Sequence, residues 1–163
     1  MRKKIFPRNF FSIISLFLFI NACAKTQQVQ QNANNVLSTV DSKDIAALTP
    51  EQVVTLYFQA WNDKKYDVMY PLISEGFKQI EPTAKTFNDF KVYMEEFYDA
   101  ANGVNIIKAK EVYKNEKEAG VDYKIEIMNK DGTNKEFSST YTLKKRTSGW
   151  KLIHPYGKNI DTT

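Results

Sequence analysis

The chain changes its apolar period once, at Asn102-Gly103, and does not change back. Before that dipeptide apolar residues recur at helical spacing; after it they alternate. A chain whose helices all precede its strands segregates its helices from an antiparallel sheet. This is an α+β architecture, and residues 49–163 suffice for one core. The single cysteine and single histidine rule out an internal disulfide and a multi-ligand structural zinc site. The fold therefore rests on apolar packing alone.

Thr49-Pro50-Glu51-Gln52 opens the first long helix. Thr49 caps it, Pro50 takes the first helical position, and Gln52 completes a capping box. Val53, Val54, Tyr57, Phe58 and Trp61 follow on one stripe, ending near Asn62-Asp63. Tyr66 to Ile73 predicts a second, short helix disturbed at Pro71. Thr86 and Asp89 open a third, with Phe87, Phe90, Met94, Phe97, Tyr98 and Ala101 on its apolar stripe and Glu95, Glu96 and Asp99 opposite. Asn102-Gly103 stops it. The stripes place Trp61 and Phe97 in the core, and truncating either to alanine is expected to cost about 3–5 kcal/mol.

Residues 104–116 read as one long, bent strand. Val121, Tyr123, Ile125 and Ile127 alternate with Asp122, Lys124 and Glu126, so the acids point away from the helices. Asp131-Gly132 predicts a hairpin turn. Phe137, Ser139, Tyr141 and Leu143 line one face of the next strand. After Thr147-Ser148-Gly149, Trp150, Leu152 and His154 share a face of the last, which Pro155 ends. The expected fold is three helices packed on a curved antiparallel sheet of about four strands.

The N-terminal region reads differently. Arg2, Lys3, Lys4 and Arg8 precede an apolar run from Phe10 to Ile20, broken only by Ser12 and Ser15. That run is short for a bilayer-spanning helix and suits a signal-peptide core. Ile20-Asn21-Ala22-Cys23 follows and resembles the bacterial lipobox. That resemblance implies a leader at 1–22, cleavage before Cys23, acylation of its sulfur with palmitate-type chains, and a membrane-anchored protein of the cell envelope. In a Gram-negative source, Ala24 after the cysteine resembles outer-membrane sorting. Residues 23–48 then form the lipidated cysteine and a tether. Lys25 to Asn35 is rich in Gln and Asn and has no apolar period, so it reads as a flexible coil reaching roughly 25–30 Å. Val36-Leu37, Val40 and Ile45 to Leu48 are expected to form a short helix or to dock on the domain.

The net charge of +4 belongs to the leader. Four of the 23 basic residues lie there, and the remaining 19 balance the 19 acids. No basic block of phosphate-binding density remains, so no nucleic-acid partner is expected. The densest stretch, Lys108 to Lys117, is interleaved with Glu111 and Glu116.

The order of elements, and the phrases Pro50 to Val54, Tyr57 to Asn62, Lys65 to Ser74, Tyr141 to Lys145 and Gly149 to Ile153, resemble the nuclear-transport-factor-2-like superfamily. The resemblance covers roughly residues 49–157. It implies a sheet curved around the helices into a cone with an apolar pocket. Some members are isomerases or dehydratases, and many, small bacterial lipoproteins among them, are not enzymes.

The inward strand positions carry apolar and aromatic residues. Trp61, Tyr123, Tyr141 and His154 are the candidate residues for a ligand in the cone. His154 is the one side chain suited to acid–base work near neutral pH, and its own strand offers no in-phase carboxylate, although Glu75 or Asp63 lies in a loop that could supply one. No paired carboxylate, Ser-His-Asp order or phosphate loop is present in the sequence. The expected function is a lipid-anchored, non-catalytic binding domain for a small apolar ligand, without cofactor or metal. The alternatives are an interaction module that forms a homodimer or holds a protein partner through its sheet face, and an isomerase- or hydrolase-like enzyme.

Overall fold

A computed structural model describes residues 42–153. The short helix α1 (Ser42–Ala47) leads to Thr49, which caps α2 (Pro50–Asn62). The capping box is closed: Gln52 N donates to Thr49 Oγ1 at 3.2 Å, and Thr49 N donates to Gln52 Oε1 at 2.9 Å. α2 buries Val53, Val54, Leu56, Phe58 and Ala60. The chain turns at Lys64, which adopts a positive φ of 58°, into α3 (Tyr66–Met69). A 3-10 turn at Tyr70–Leu72 follows directly, so the expected disturbance lies at Pro71.

Two elements were not read in the sequence. Ser74 caps α4 (Glu75–Ile80) by accepting from Phe77 N at 3.2 Å. A second 3-10 turn occupies Pro82–Ala84. Both are too short to establish an apolar period. α5 (Phe87–Ala100) begins at the predicted Thr86–Asp89 pair, where Asp89 N donates to Thr86 Oγ1 at 3.2 Å.

α5 passes straight into β1 (Ala101–Lys114). The predicted stop at Asn102-Gly103 therefore lies inside the strand, where the register shifts and Gly103 takes φ 153°. β2 (Glu118–Asn129), β3 (Asn134–Arg146) and β4 (Gly149–Ile153) complete an antiparallel meander in the order β1-β2-β3-β4. Two further register shifts, at Ile106/Lys108 and Glu111/Tyr113, let β1 bend. The alternation assigns the faces as expected. Val121, Tyr123, Ile125, Tyr141 and Leu143 are buried. The outward face carries polar cross-strand pairs: Thr140 Oγ1 donates to Asp122 at 2.6 Å, Lys124 meets Glu136 at 2.6 Å, and Asn134 donates to Glu126 at 3.1 Å.

The main core gathers α2 residues and the inner sheet face, with Ile45 of α1 among them. A second cluster joins Ala60, Tyr66, Met69, Ile73, Phe90 and Met94. Along α5 the burial is narrower than the stripe. Phe90 and Met94 are buried, whereas Phe87 and Phe97 are 41% and 39% exposed. The sequence expectation for Phe97 is corrected accordingly. Its ring meets Trp61 edge-on at 5.2 Å and the rest faces solvent, because no element covers that flank among the described residues.

Two outcomes follow for stability. Phe58→Ala is expected to cost about 3–5 kcal/mol and Phe97→Ala no more than about 1.5 kcal/mol; urea midpoints of the two variants separate them, and equal losses would place Phe97 in the core after all. Gly149 sits at φ 100°, and a Cβ there would lie 2.9 Å from Ala46 Cα and Ile45 O. Gly149→Ala is thus expected to cost about 1–3 kcal/mol, from strained backbone and displacement of α1, in the same measurement.

Candidate functional site

Phe58, one turn before the end of α2, points into the concave sheet. Its ring lies 4.9 Å from that of Tyr123 and 5.9 Å from that of Tyr141. Tyr123 and Tyr141 stack on each other at 4.6 Å with 22° between planes. They come from adjacent strands as a diagonal pair, two residues apart in register, since Val121 pairs with Tyr141 and Tyr123 with Ser139. Tyr57 meets Tyr141 edge-on at 6.2 Å, and Trp61 stacks on Phe58 at 6.1 Å. Three of the four expected cone residues, Trp61, Tyr123 and Tyr141, are thus gathered around Phe58. The sequence singled out those three without their hub. The fourth, His154, lies outside the described residues, as do Cys23 and the leader.

Burial pushes the phenols of Tyr57, Tyr123 and Tyr141 above the ordinary tyrosine value. Tyr123 and Tyr141 are also hydrogen-bonded to each other, which raises Tyr141 further and offsets part of the rise at Tyr123. At neutral pH these hydroxyls are neutral donors and acceptors, not bases. The strand acids Asp122 and Glu126 point away from the rings and are held by Thr140 and Asn134.

The loop acids are placed elsewhere. Glu75, at the start of α4, accepts from Lys78 Nζ at 2.7 Å. Lys78 also lies over the Tyr70 ring, 4.2 Å from its centroid. Nearby, the buried Lys151 donates to Pro71 O at 2.6 Å. Burial, with Lys78 adding repulsion, holds the Lys151 ammonium below the usual lysine value. Sequence reasoning missed this pair of buried lysines, because each looks like an ordinary surface residue.

A separate cleft of about 160 Å³ lies between the C-terminal turns of α2 and the start of β1. Phe58, Gln59, Asn62 and Asp63 line one side and residues 104–106 the other. Asn62 Oδ1 accepts from Val104 N at 3.3 Å, fixing the helix to the strand. Gln59 Oε1 is buried and has no hydrogen-bond partner among the described residues. The i, i+3 spacing of Gln59 and Asn62 was visible in the sequence, but nothing there placed Asn105 opposite them.

Among the described residues no group of three or more His, Cys, Asp or Glu side chains could hold a metal ion, and no helix is long and apolar enough to cross a membrane.

The raised phenols give a pH dependence. Unfolded tyrosines ionise near pH 10, below their folded values, so above that pH the unfolded chain binds fewer protons than the folded one. Their contribution to stability is present in full below about pH 10 and is lost as the pH climbs through the folded values. The phenols of Tyr70 and Tyr113 are raised too, and Lys151 acts in the opposite sense, one ammonium against five phenols. Urea midpoints are expected to fall above about pH 10, and less steeply for Tyr141→Phe; equal slopes for the two proteins would show that Tyr141 is not the group responsible.

Comparison with known proteins adds the following. A family model described as an NTF2-like N-terminal transpeptidase domain matches residues 49–155. Among solved structures, the chain is similar to a SEC-C motif-containing protein from Rhodopseudomonas palustris, with a TM-score of 0.56, 9% identity, and coverage of 76% of this chain and 86% of that one. It is also similar to an NTF2-like protein of unknown function from Shewanella oneidensis MR-1, with a TM-score of 0.43, 15% identity, and coverage of 62% and 88%. No curated protein matches the sequence. With the family model spanning most of the helices and the whole described sheet, the chain belongs to the NTF2-like N-terminal transpeptidase domain family.

Proposed function

We infer that this protein is a lipid-anchored lipoprotein of the bacterial cell envelope whose NTF2-like domain acts by binding rather than by catalysis. The observation that carries the reading is the aromatic cluster. The inward positions that would present an acid or base in a catalytic cone hold Phe58, Tyr123 and Tyr141, stacked on one another, with their phenols kept neutral by burial. General acid–base work near neutral pH calls for a group poised to ionise there, and these groups are moved away from that range.

The anchor rests on the sequence: the basic leader, the apolar run and the Ile20-Asn21-Ala22-Cys23 box. Each buried methylene contributes about 0.8 kcal/mol, and stable anchoring takes two chains. Diacylglycerol on Cys23 with a third chain on its amine meets that requirement. The cone ligand is read as small and apolar, bordered by Trp61, Tyr123 and Tyr141. The reading through the sheet face is less favoured, because the outward face of β2 and β3 is paired by polar contacts and lacks a wide apolar patch.

The test uses the full chain in cells. Wild type is expected to take up labelled palmitate and to fractionate with membranes, and Cys23→Ala to do neither. The double variant Tyr123→Phe, Tyr141→Phe is expected to fold and to behave as wild type in any deletion-rescue assay, because it keeps the rings and removes only the hydroxyls. Palmitate uptake by Cys23→Ala would end the anchoring proposal. Failed rescue by the double variant at normal protein level would assign chemistry to the phenols.

A further inference from the structure

β4 is shorter than the strand it pairs with, and covers only residues 142–146 of β3. Residues 134–141 therefore have β2 on one side and no described strand on the other. Two bonds fix which backbone groups face that open side. Lys145 N donates to Lys117 O at 2.8 Å, on the β2 side of β3, and Ser74 N donates to Leu152 O at 2.9 Å, on the side of β4 away from β3. Backbone groups alternate along an antiparallel strand, so odd-numbered β3 residues face β2 and even-numbered ones face β4. Beyond the end of β4, the N–H and C=O of Asn134, Glu136, Ser138 and Thr140 point out from the sheet edge, with no backbone partner among the described residues. Residues 134–140 are exposed throughout. The outward side chains leave the edge clear, because Asn134 is bonded back to Glu126, Glu136 to Lys124 and Thr140 to Asp122, all on β2. On the inward face the Phe137 ring meets that of Tyr123 at 6.2 Å and is still 48% exposed.

An open edge of this kind is a template for another strand. The chain's own continuation fits it poorly. Extending the β3–β4 register past Ile153 would set Pro155 opposite Thr140, where the ladder needs a donor and proline has none. A second copy of the same edge fits, and its charges choose the register. A two-fold axis through the edge pairs the two copies of β3 antiparallel. Centred on Lys135 or on Glu136, it sets like charges face to face. Centred on Ser138, it sets Phe137 opposite Ser139 and Lys135 opposite the buried Tyr141. Centred on Phe137, it pairs Asn134 with Thr140 and Glu136 with Ser138 through both backbone groups, puts Lys135 opposite Ser139, and lays Phe137 against its twin. We propose that two copies of this chain join edge to edge through residues 134–140 of β3, with the Phe137 pair on the two-fold axis. Each sheet then continues into the other, and the exposed Phe137 ring is covered. The contact lies on the edge of the sheet rather than its face, and it stands whether or not the cone holds a ligand.

So short a contact, against the roughly 20–30 residues a side of a standard interface, makes a weak dimer, with a dissociation constant on the order of 100 µM. The experiment is oxidative cross-linking of the full chain in a zwitterionic detergent over a range of protein concentrations. The wild type, with its single Cys23, sets the background. Residues opposed as the two Phe137 would be lie about 4.5 Å apart at Cα, within reach of a disulfide. Phe137→Cys is expected to form a linked dimer about tenfold faster than Ser139→Cys, which shares its strand and face but meets Lys135 of the other copy. Adding Ser138→Pro to Phe137→Cys removes an edge N–H that β2 does not use, and is expected to slow the cross-link about tenfold while the melting temperature shows the fold intact. Equal rates for Phe137→Cys and Ser139→Cys, or no slowing by Ser138→Pro, would overturn the proposal. If Phe137→Cys does not fold, a mixture of Lys135→Cys and Ser139→Cys copies decides, and linkage no faster than in either variant alone overturns it. Dimers that form only after residues 156–163 are removed would assign the edge to the chain's own tail, and would overturn it as well.

Discussion

The structure depends on one contact between its two halves, the seating of Phe58 against Tyr123 and Tyr141. A helix laid on a flat sheet touches it along a narrow line. Here β1 carries three register shifts, the sheet curves, and the α2 stripe meets aromatic rings on the inner face. Offset and tilted ring pairs at these distances contribute beyond their buried area, about 0.5–1.5 kcal/mol each. Phe58 makes such contacts with both strands at once, so it fixes the position of α2 across the sheet as well as its depth. The second cluster, around Met69, Phe90 and Met94, packs on the other flank of α2 through Ala60. Its arrangement therefore inherits the position that Phe58 sets.

A four-stranded open sheet has two edges, and each is managed by side chains or loops rather than by another strand. Along β1, α2 reaches over with Asn62 to Val104 N and with Glu51 to Glu111 N at 3.1 Å, so both ends of the helix hold the strand's outer donors. Along β4, Ile73 forms a single parallel bridge to Leu152, Ser74 N donates to Leu152 O at 2.9 Å, and Lys151 reaches Pro71 O. The cleft beside α2 is a consequence of the first arrangement. It lies at the C-terminal attachment, beside Asn62 and Val104, with Gln59 in its wall. Inside the sheet, Gly120 serves a different purpose. A Cβ there would collide with the Tyr113 ring, which lies across the glycine from the neighbouring strand and donates to Glu118 at 2.9 Å. That ring covers the backbone the glycine leaves bare.

Much of this was legible in the sequence because it is local. Thr49 and Gln52 are three residues apart, and the capping box they form follows from backbone geometry. The β2 alternation sorted Val121, Tyr123 and Ile125 from Asp122 with no knowledge of the partner strands. What the sequence misjudged is what depends on coverage by distant elements. α5 is amphipathic throughout, but the width of its buried stripe is set by how much of it α2, α3 and the second 3-10 turn reach. That includes Phe90 and Met94 and leaves Phe97 half out. α4 was hidden by its length, although Ser74 ahead of Glu75 carried a readable cap. The cone residues Trp61, Tyr123 and Tyr141 were found because aromatic residues in phase with a core stripe converge in any α+β packing. The α2–β1 cleft was not found, because Gln59 and the inward side chains Val104 and Ile106 are brought together by the crossing of a helix and a strand that no short-range pattern encodes.

The distribution of ionisable groups bears on function more than any single residue does. In this fold a reaction needs a titratable group inside and a path to it. Beside the aromatic cluster the described interior offers the phenols of Tyr57, Tyr123 and Tyr141, raised by desolvation, and away from it the buried Lys78 and Lys151, while the carboxylates sit on the outward sheet face, at helix starts or at the rim. Glu75 is committed to Lys78, Glu51 to the β1 edge, and Asp122 to Thr140. Moving any of them into the cone would mean desolvating a charge without a partner, a penalty that the apolar surroundings would make large. A stack of neutral rings carries no such penalty and resists rearrangement, because interior packing is close to crystalline density. Such an interior can hold a shape without doing proton chemistry. The one carboxamide oxygen left without a partner among the described residues beside the cleft, Gln59 Oε1, is buried at the seam between helix and strand and carries no charge either.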